Sequence, residues 1–412
     1  MANHYDVIII GAGPAGATAA AALCSSDLSV MILERSRFPR FVIGESLLPQ
    51  CMDVLQEVGL LEAVEAAGFQ RKTGAIFRQR EDVAVFDFGE QYGEGWSYAY
   101  QVERNRFDDL LVREVAERGV DVRFEHEVVS ADVSAENPVL VVQTPDGGQT
   151  SFACRFLIDA SGFGRVLPRL LDLERPAKFP PRHAVFSHVQ GDIRQGQDEI
   201  DRILIAIHPG DPGIWYWAIP FPGSKTSIGV VGDLSIQDRS PSDPKLQLQA
   251  LIDEEPNMRR RVGKADYLFP PRSVTSYACS TTRLFGDRFV IVGNAGEFLD
   301  PIFSSGVTVA LRSGLSAAQL VARQLAGDEV DWQTAYVDEL QAGIDVFRSL
   351  VETWYTGTLQ KIIFHKEKTP DIVEKLCALF AGYVWDSSNP FVTRTARRLD
   401  LLAEICAPIP RQ

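Results

Sequence analysis

Two rhythms of apolar residues organise this chain. Short unbroken runs, Val7-Ile8-Ile9-Ile10 after Tyr5-Asp6 and Phe289-Val290-Ile291-Val292, read as strands buried on both faces of a parallel sheet. Apolar positions at Met52, Leu55, Val58 and Leu61 recur instead at helical spacing, so an amphipathic helix is predicted after the irregular, charged stretch 35–49. A second helix is expected from near Arg106 to just before Gly119, followed by a strand over 120–124. Residues 138–144 alternate into the turn Pro145-Asp146-Gly147-Gly148, and 151–158 return as the other arm of a hairpin. The span 183–232 predicts several longer antiparallel strands, and 306–325 predicts a helix. From Trp332 onward the pattern is mostly helical, with a break at Pro370.

Composition narrows the class. With 412 residues, 45% of them hydrophobic, the chain can bury a large core and is expected to form two closely joined domains. Lysine and arginine number 41 against 55 acidic residues, and the net charge of −14 argues against nucleic acid or an anionic membrane as partner. Six cysteines form no CxxC pair and six histidines no ligand-spaced pair, so neither a metal site nor a disulfide framework is expected. No apolar run reaches membrane-spanning length. The first strand begins at once, which leaves no room for a signal or transit peptide and makes the cytoplasm the expected compartment.

Candidate chemistry starts at the first strand. Gly11-Ala12-Gly13-Pro14-Ala15-Gly16 follows it, opens a helix, and is followed by a strand ending at Glu34. Gly11 permits the tight turn, Gly13 lets the backbone approach a pyrophosphate, and Gly16 lets the helix pack on the strand, while free amides at the helix start receive the diphosphate. Glu34 is placed to bind the adenosine ribose. Strand, turn, helix and distant acid in that order predict a dinucleotide-binding βαβ unit.

Two further segments make the dinucleotide FAD. Leu157-Ile158-Asp159-Ala160-Ser161-Gly162 brings a strand end to a small-residue turn, and the strand from Gly286 to Gly296 runs on to Asp300-Pro301. Together with the first motif they resemble the flavoprotein monooxygenase superfamily, built like p-hydroxybenzoate hydroxylase. The resemblance implies an α/β fold: a discontinuous Rossmann-type FAD-binding domain over 1–75, 100–165 and 280–330, an antiparallel-sheet substrate domain over 76–99 and 166–279, and a helical C-terminal region over 331–412. It implies cofactor contacts at Gly11, Gly13, Ala15, Gly16, Glu34, Arg35, Arg40, Asp159, Gly162, Asp300 and Pro301. It also implies Gln101 and Arg104 in the segment Gln101 to Asp108, which leaves open whether Arg104 or Arg106 faces the flavin. The helix after Asp300-Pro301 is expected to aim its positive end at the isoalloxazine.

Trp215-Tyr216-Trp217-Ala218-Ile219-Pro220 narrows the chemistry further. Period-two geometry puts Trp215, Trp217 and Ile219 on one strand face. An aromatic strand suits a core as well as a site. Yet the segment matches the WxWxIP signature of flavin-dependent halogenases, and other segments resemble theirs too. Gly44-Glu45-Ser46-Leu47-Leu48-Pro49 is similar to their loop beside the flavin, Lys72-Thr73-Gly74-Ala75-Ile76-Phe77 to the segment bearing their catalytic lysine, and Phe303-Ser304-Ser305-Gly306-Val307 to the loop whose Ser305 and Gly306 amides hold chloride. Trp354-Tyr355-Thr356-Gly357 is similar to their helical WYxG segment.

What the resemblance implies is specific. FADH2 from a separate flavin reductase and O2 give a flavin hydroperoxide, chloride or bromide attacks it, and Lys72, its pKa lowered by desolvation, guides the hypohalous acid to an aromatic carbon. Trp215, Trp217, Ile219, Pro220 and Phe303 wall substrate from flavin, and Glu45, Ser46, Gly306 and Val307 line the cofactor. Arg71 is expected on the face opposite Lys72. Phe303 stands where tryptophan halogenases carry a glutamate, so the pattern is nearer the phenol and pyrrole halogenases, whose substrate is free or tethered to an acyl or peptidyl carrier protein. The short C-terminal part, a reduced lid from about Pro370, is expected to leave the substrate mouth open. Two other readings compete: an FAD-dependent reductase of the geranylgeranyl-reductase kind or a hydroxylase, and a flavin-binding protein without turnover.

Overall fold

The runs that read as buried strands lie side by side. The computed structural model describes residues 3–177, 179–237 and 243–406. Asn3–Ile10 is central, flanked in parallel by Val30–Glu34 and by Gln149–Asp159, with Asp121–Phe124 and Phe289–Ile291 extending the sheet outward. Helices Pro14–Leu23 and Ser305–Ala326 cover one face and pack on each other. They approach closely at Gly314, where a Cβ would lie 2.4 Å from the Ala15 carbonyl oxygen. The strand C-termini, at Gly11, Glu34, Asp159 and Val292, therefore converge on one edge, the place where doubly wound sheets take their ligands.

The hairpin forms with a longer second arm than predicted. Val139–Gln143 pairs with Gln149–Asp159, and Thr144 N–H donates to the Gly148 carbonyl to close the turn. That one strand is antiparallel to its hairpin partner at its start and parallel to Asn3–Ile10 from Phe152 onward.

A second sheet runs in the order Asp266–Tyr267, Arg182–Gln190, Lys225–Asp233, Trp215–Pro220, Arg202–Ile207, Gly74–Gln79 and Asp82–Asp87. It is mixed rather than antiparallel throughout, because Gly74–Gln79 joins Arg202–Ile207 in parallel. Helices Pro244–Glu254 and Pro256–Val262 cover its outer face over Tyr216, Ala218 and Val230. Trp215, Trp217 and Ile219 point the other way, into the main core. A separate two-stranded ladder pairs Gln70–Lys72 with Ala99–Gln101.

The helical expectations hold, with one helix divided in two. The apolar stripe Met52, Leu55, Val58, Leu61 is buried but spans two helices, Gln50–Glu57 and Leu61–Ala66, because Gly59 at φ +68° turns the chain between them. The helix expected near Arg106 is Arg104–Glu117. The break expected at Pro370 is present: helix Thr358–Phe364 ends before it and Pro370 opens helix Pro370–Phe380 at its first turn, where a missing N–H costs nothing, while Gly357, φ +77°, adds a further break upstream. Among the described residues no helix is long and apolar enough to cross a membrane.

Candidate active site

The glycine turn forms an open cradle. Gly11 takes φ +99°, and a Cβ there would lie 2.6 Å from the Ala160 carbonyl oxygen. At Gly16 a Cβ would meet the Gly11 carbonyl oxygen at 2.0 Å, so the helix can sit on its strand only without a side chain. Gly13 is different. It caps the helix with no side-chain partner, and a Cβ there meets only the Arg40 guanidinium, at 3.6 Å. The helix-start amides thus face free space beside a cation, as a diphosphate requires. Glu34 accepts the Ala12 and Ser36 amides at 3.0 and 2.8 Å, and Arg40 pairs with Asp108 at 3.2 Å. Arg35 is exposed at the rim, and Ala15 is buried against the crossing helix.

Of the two arginines left open by the sequence, Arg104 turns inward. It holds Asp108 through two bonds, at 2.7 and 3.0 Å, and donates to the carbonyls of Ile43 and Gly44. Arg106 lies over the Phe69 ring on the outside. Arg104 thereby fixes the loop that carries Glu45 and Ser46. Glu45 Oε1 meets His188 Nε2 at 2.7 Å, which ties that loop to the second sheet, while Ser46 bridges to Gln101.

Several polar atoms here are buried with nothing to bond. They are Glu45 Oε2, Ser46 Oγ, both amide atoms of Gln101, and Asn294 Oδ1. Buried polar groups without partners are costly, and a cluster of them marks where a polar ligand completes the set. With the open amides at Gly13 they fit a molecule carrying a diphosphate, a hydroxylated chain and a ring with polar edges. FAD is such a molecule. The spacing motifs missed Asn294, which follows Gly293 (φ +57°) at the strand end and lies 3.8 Å from where a Gly306 Cβ would be.

Two expected cofactor carboxylates also hold turns. Asp159 accepts the Ser161 and Leu167 amides at 2.9 and 2.7 Å, leaving Gly162, at φ +57°, beside a satisfied acid. Asp300 accepts the Ile302 amide at 3.1 Å, capping the single turn begun by Pro301, and the hydroxyls of Tyr355 at 3.0 Å and Tyr277 at 3.4 Å. Burial pushes its pKa up to about 6, against these donors and Arg182. Tyr355 also accepts from Trp215 Nε1 at 3.0 Å, so wall and turn share one hydroxyl.

The tryptophan pair lies on one strand face, as the alternation predicted. Trp215 and Trp217 have ring centroids 5.9 Å apart, and Trp217 Nε1 donates to Ser227 at 3.2 Å. Gly229, directly across the ladder, leaves the Trp217 indole its space, since a Cβ there would lie 2.2 Å from the ring. Ile219 is buried on the same face and Pro220 closes the strand.

Lys72 is 1% exposed. Its Nζ donates to the Leu47 carbonyl at 2.8 Å and lies 5.4 Å from the Phe88 ring. Burial lowers its pKa to about 7, with a small opposing push from Cys51. Arg71 points outward over Tyr98, as alternation requires. Cys51 is the link sequence gave no sign of: its thiol contacts Thr308 at 3.3 Å, one turn into helix Ser305–Ala326. That helix starts at Ser304, φ +55°, with no side-chain cap, which leaves the amides of Ser305, Gly306 and Val307 without intrahelical partners.

The C-terminal helices pack onto the loop that carries Phe303. Phe303 stacks on Phe380 of helix Pro370–Phe380 with centroids 5.7 Å apart and meets Trp354 edge-on at 6.0 Å. Phe77 contacts both Phe380 and Trp354. Tyr383, just beyond, accepts the Trp96 amide at 2.8 Å. The apolar stripe of helix Pro370–Phe380 thus finds its partner surface on Phe303, Phe77 and Trp354.

Comparison with known proteins agrees with this geometry. The profile described as FAD binding domain matches residues 4–336. A 1H-pyrrole-2-carbonyl-[peptidyl-carrier protein] brominase of Pseudoalteromonas luteoviolacea is 27% identical over 405 residues, 96% of each chain. Flavin-dependent halogenase armH3 of Armillaria mellea is 33% identical over 78% of this chain and 68% of its own. A crystal structure of a flavoprotein/dehydrogenase from Cytophaga hutchinsonii superposes with TM-score 0.95 at 42% identity, over 98% of this chain and 99% of that one.

Proposed function

This chain belongs to the flavin-dependent halogenase family and carries its FAD-binding domain, and on that premise we propose that it halogenates an electron-rich aromatic ring, a phenol or a pyrrole. The observation that carries the reading is a buried lysine of near-neutral pKa bonded to the loop that the cofactor residues share.

Each residue's part follows from its place. Gly11, Gly13 and Gly16 leave room for the diphosphate, Arg40 neutralises it, Glu34 meets the ribose, and Ser46, Gln101, Glu45 and Asn294 bond the polar remainder. Bound and reduced, FAD supplies the activation of O2 from which a halide yields hypohalous acid. The unpaired amides of Ser305 and Gly306 hold that halide at a helix N-terminus. Trp215 and Trp217 keep the ring away from the flavin. Lys72, present at pH 7 as both amine and ammonium, hydrogen-bonds the acid or accepts its halogen and presents it to carbon. Phe303 offers no base for the proton the ring then loses, which restricts the substrate to rings activated enough to lose it unaided.

In this reading the cofactor occupies the unit 1–75, 100–165 and 280–330, the ring approaches from 76–99 and 166–279, and 331–412 closes behind Phe303. A separate flavin reductase delivers the electrons in the cytoplasm, and the ring is free or carried as a thioester on a carrier protein, as the name of the Pseudoalteromonas relative states for that enzyme. A second reading, an FAD-dependent reductase or dehydrogenase, is favoured by the name of the Cytophaga structure and by the packed cluster around Phe303. Incubation with chemically reduced FAD, bromide and a panel of phenols and pyrroles, free and carrier-bound, separates the two. Brominated product by mass supports the first reading; no bromination of any member overturns it.

A further inference from the structure

The Glu45 carboxylate, 1% exposed, has one paired oxygen and one bare one. Its Oε1 lies 2.7 Å from His188 Nε2, and its Oε2 is buried without a partner. The backbone on either side is held by other groups: the Glu45 carbonyl accepts the Val102 amide at 2.7 Å, and the Gly44 carbonyl accepts from Arg104 at 3.2 Å. The direction of the side chain therefore rests on the imidazole. A carboxylate only accepts, so the proton of that bond sits on His188 Nε2.

His188 is fixed in turn. It is buried on strand Arg182–Gln190, with the rings of Phe41, Phe221 and Phe269 at centroid distances of 5.5, 5.2 and 5.1 Å, and Arg272 lies over Phe41 and Phe269. Rings packed on several sides leave the imidazole little freedom to turn. Directly across the ladder from His188 stands Ser227, whose hydroxyl accepts Trp217 Nε1 at 3.2 Å. One cross-strand pair thus holds both the tryptophan wall and the anchor of the cofactor loop. A buried carboxylate oxygen without a donor is costly unless a ligand supplies one, and FAD carries donors in its ribityl hydroxyls and its ring N–H.

We propose that His188 is a positioning residue for the flavin: it holds Glu45 so that Oε2 accepts a hydrogen bond from FAD, and cofactor affinity thereby depends on a residue of the second sheet. The role rests on the FAD-binding domain and is independent of halogenation.

Equilibrium dialysis of the FAD-loaded full chain, with the visible spectrum of the bound flavin, tests it without halide or turnover. Glu45→Ala and His188→Phe should each weaken FAD about tenfold, and the double variant should bind no more weakly than Glu45→Ala alone, since the imidazole acts only through that carboxylate. His188→Gln, whose amide keeps a donor, should recover affinity to within about threefold of wild type. The absorbance maximum of bound flavin should shift alike in Glu45→Ala and His188→Phe and stay in place in His188→Gln. The proposal is overturned if Glu45→Ala binds FAD as tightly as wild type, a result that needs no His188 variant to fold. It is equally overturned if His188→Phe binds FAD as tightly as wild type, if the His188→Phe loss persists in full on the Glu45→Ala background, which marks packing alone, or if His188→Gln is as weak as His188→Phe.

Discussion

Lys72 Nζ donates to the main-chain carbonyl of Leu47 at 2.8 Å, joining residues 25 apart in sequence and fixing the lysine on the loop that also carries Glu45 and Ser46. The bond orients the amine without neutralising it, so desolvation acts undiminished by any carboxylate. Burial brings its pKa from 10.5 to about 7. Between these values the unfolded chain keeps a proton that the folded chain has released. Stability therefore rises with pH across that window, and the penalty is full below pH 7. Lys72→Met should gain on the order of a few kcal/mol at pH 6, shrinking toward pH 10, in urea melts at the two pH values. A gain independent of pH would place the amine in solvent.

The same residue gives a catalytic test. Lys72→Ala should abolish halogenated product while retaining FAD and hydrogen peroxide release. Lys72→Arg should not restore product, since a guanidinium stays protonated. Wild-type product from the alanine variant would mean that free hypohalous acid does the halogenation.

Two glycines of one motif should fail differently. Gly13→Val should fold, since its Cβ meets only the mobile end of Arg40, yet lose FAD because the side chain takes the diphosphate's place. Gly16→Ala puts a Cβ 2.0 Å from a carbonyl oxygen and should lower Tm itself. Flavin stoichiometry and thermal melts separate the cases; full yellow colour in Gly13→Val would remove the cradle.

Tyr355→Phe removes the hydroxyl shared by Trp215 and Asp300. The cost should be about 1–3 kcal/mol for the stranded Trp215 N–H and the loss of one of three donors to Asp300, and the Asp300 pKa should rise further from about 6. Because that pKa already lies above the unfolded value of 3.8, stability falls as pH climbs from 3.8 to 6, and in the variant the fall should extend to higher pH. A wild-type pH–stability curve would show the bond to be idle.

Trp217→Ala should cost about 3–5 kcal/mol through the cavity it leaves, lower halogenation, and raise uncoupled hydrogen peroxide. Phe380→Ala should cost a similar amount, about 3–5 kcal/mol, and widen access beside Phe303, read as a higher kcat/KM for bulkier rings. Unchanged selectivity would make Phe380 packing alone.

The chain's own pattern determined whatever depends on short range. Unbroken apolar runs require strands covered on both faces, alternation put Trp215 and Trp217 together and Lys72 opposite Arg71, and the glycine spacing defined a turn that no other residue could close. Helix breaks were partly legible: Gly59 and Gly357 act through positive φ, a backbone state that composition allows without announcing. Contacts between distant segments were not legible at all. His188 meets Glu45 across 143 residues, Tyr355 meets Asp300 across 55, and Phe380 covers Phe303 only because the last helices fold back onto the site. Which donors Asp159 and Asp300 accept from was likewise decided by the amides and hydroxyls the tertiary fold brought within reach, since a carboxylate accepts from whichever donor is nearest.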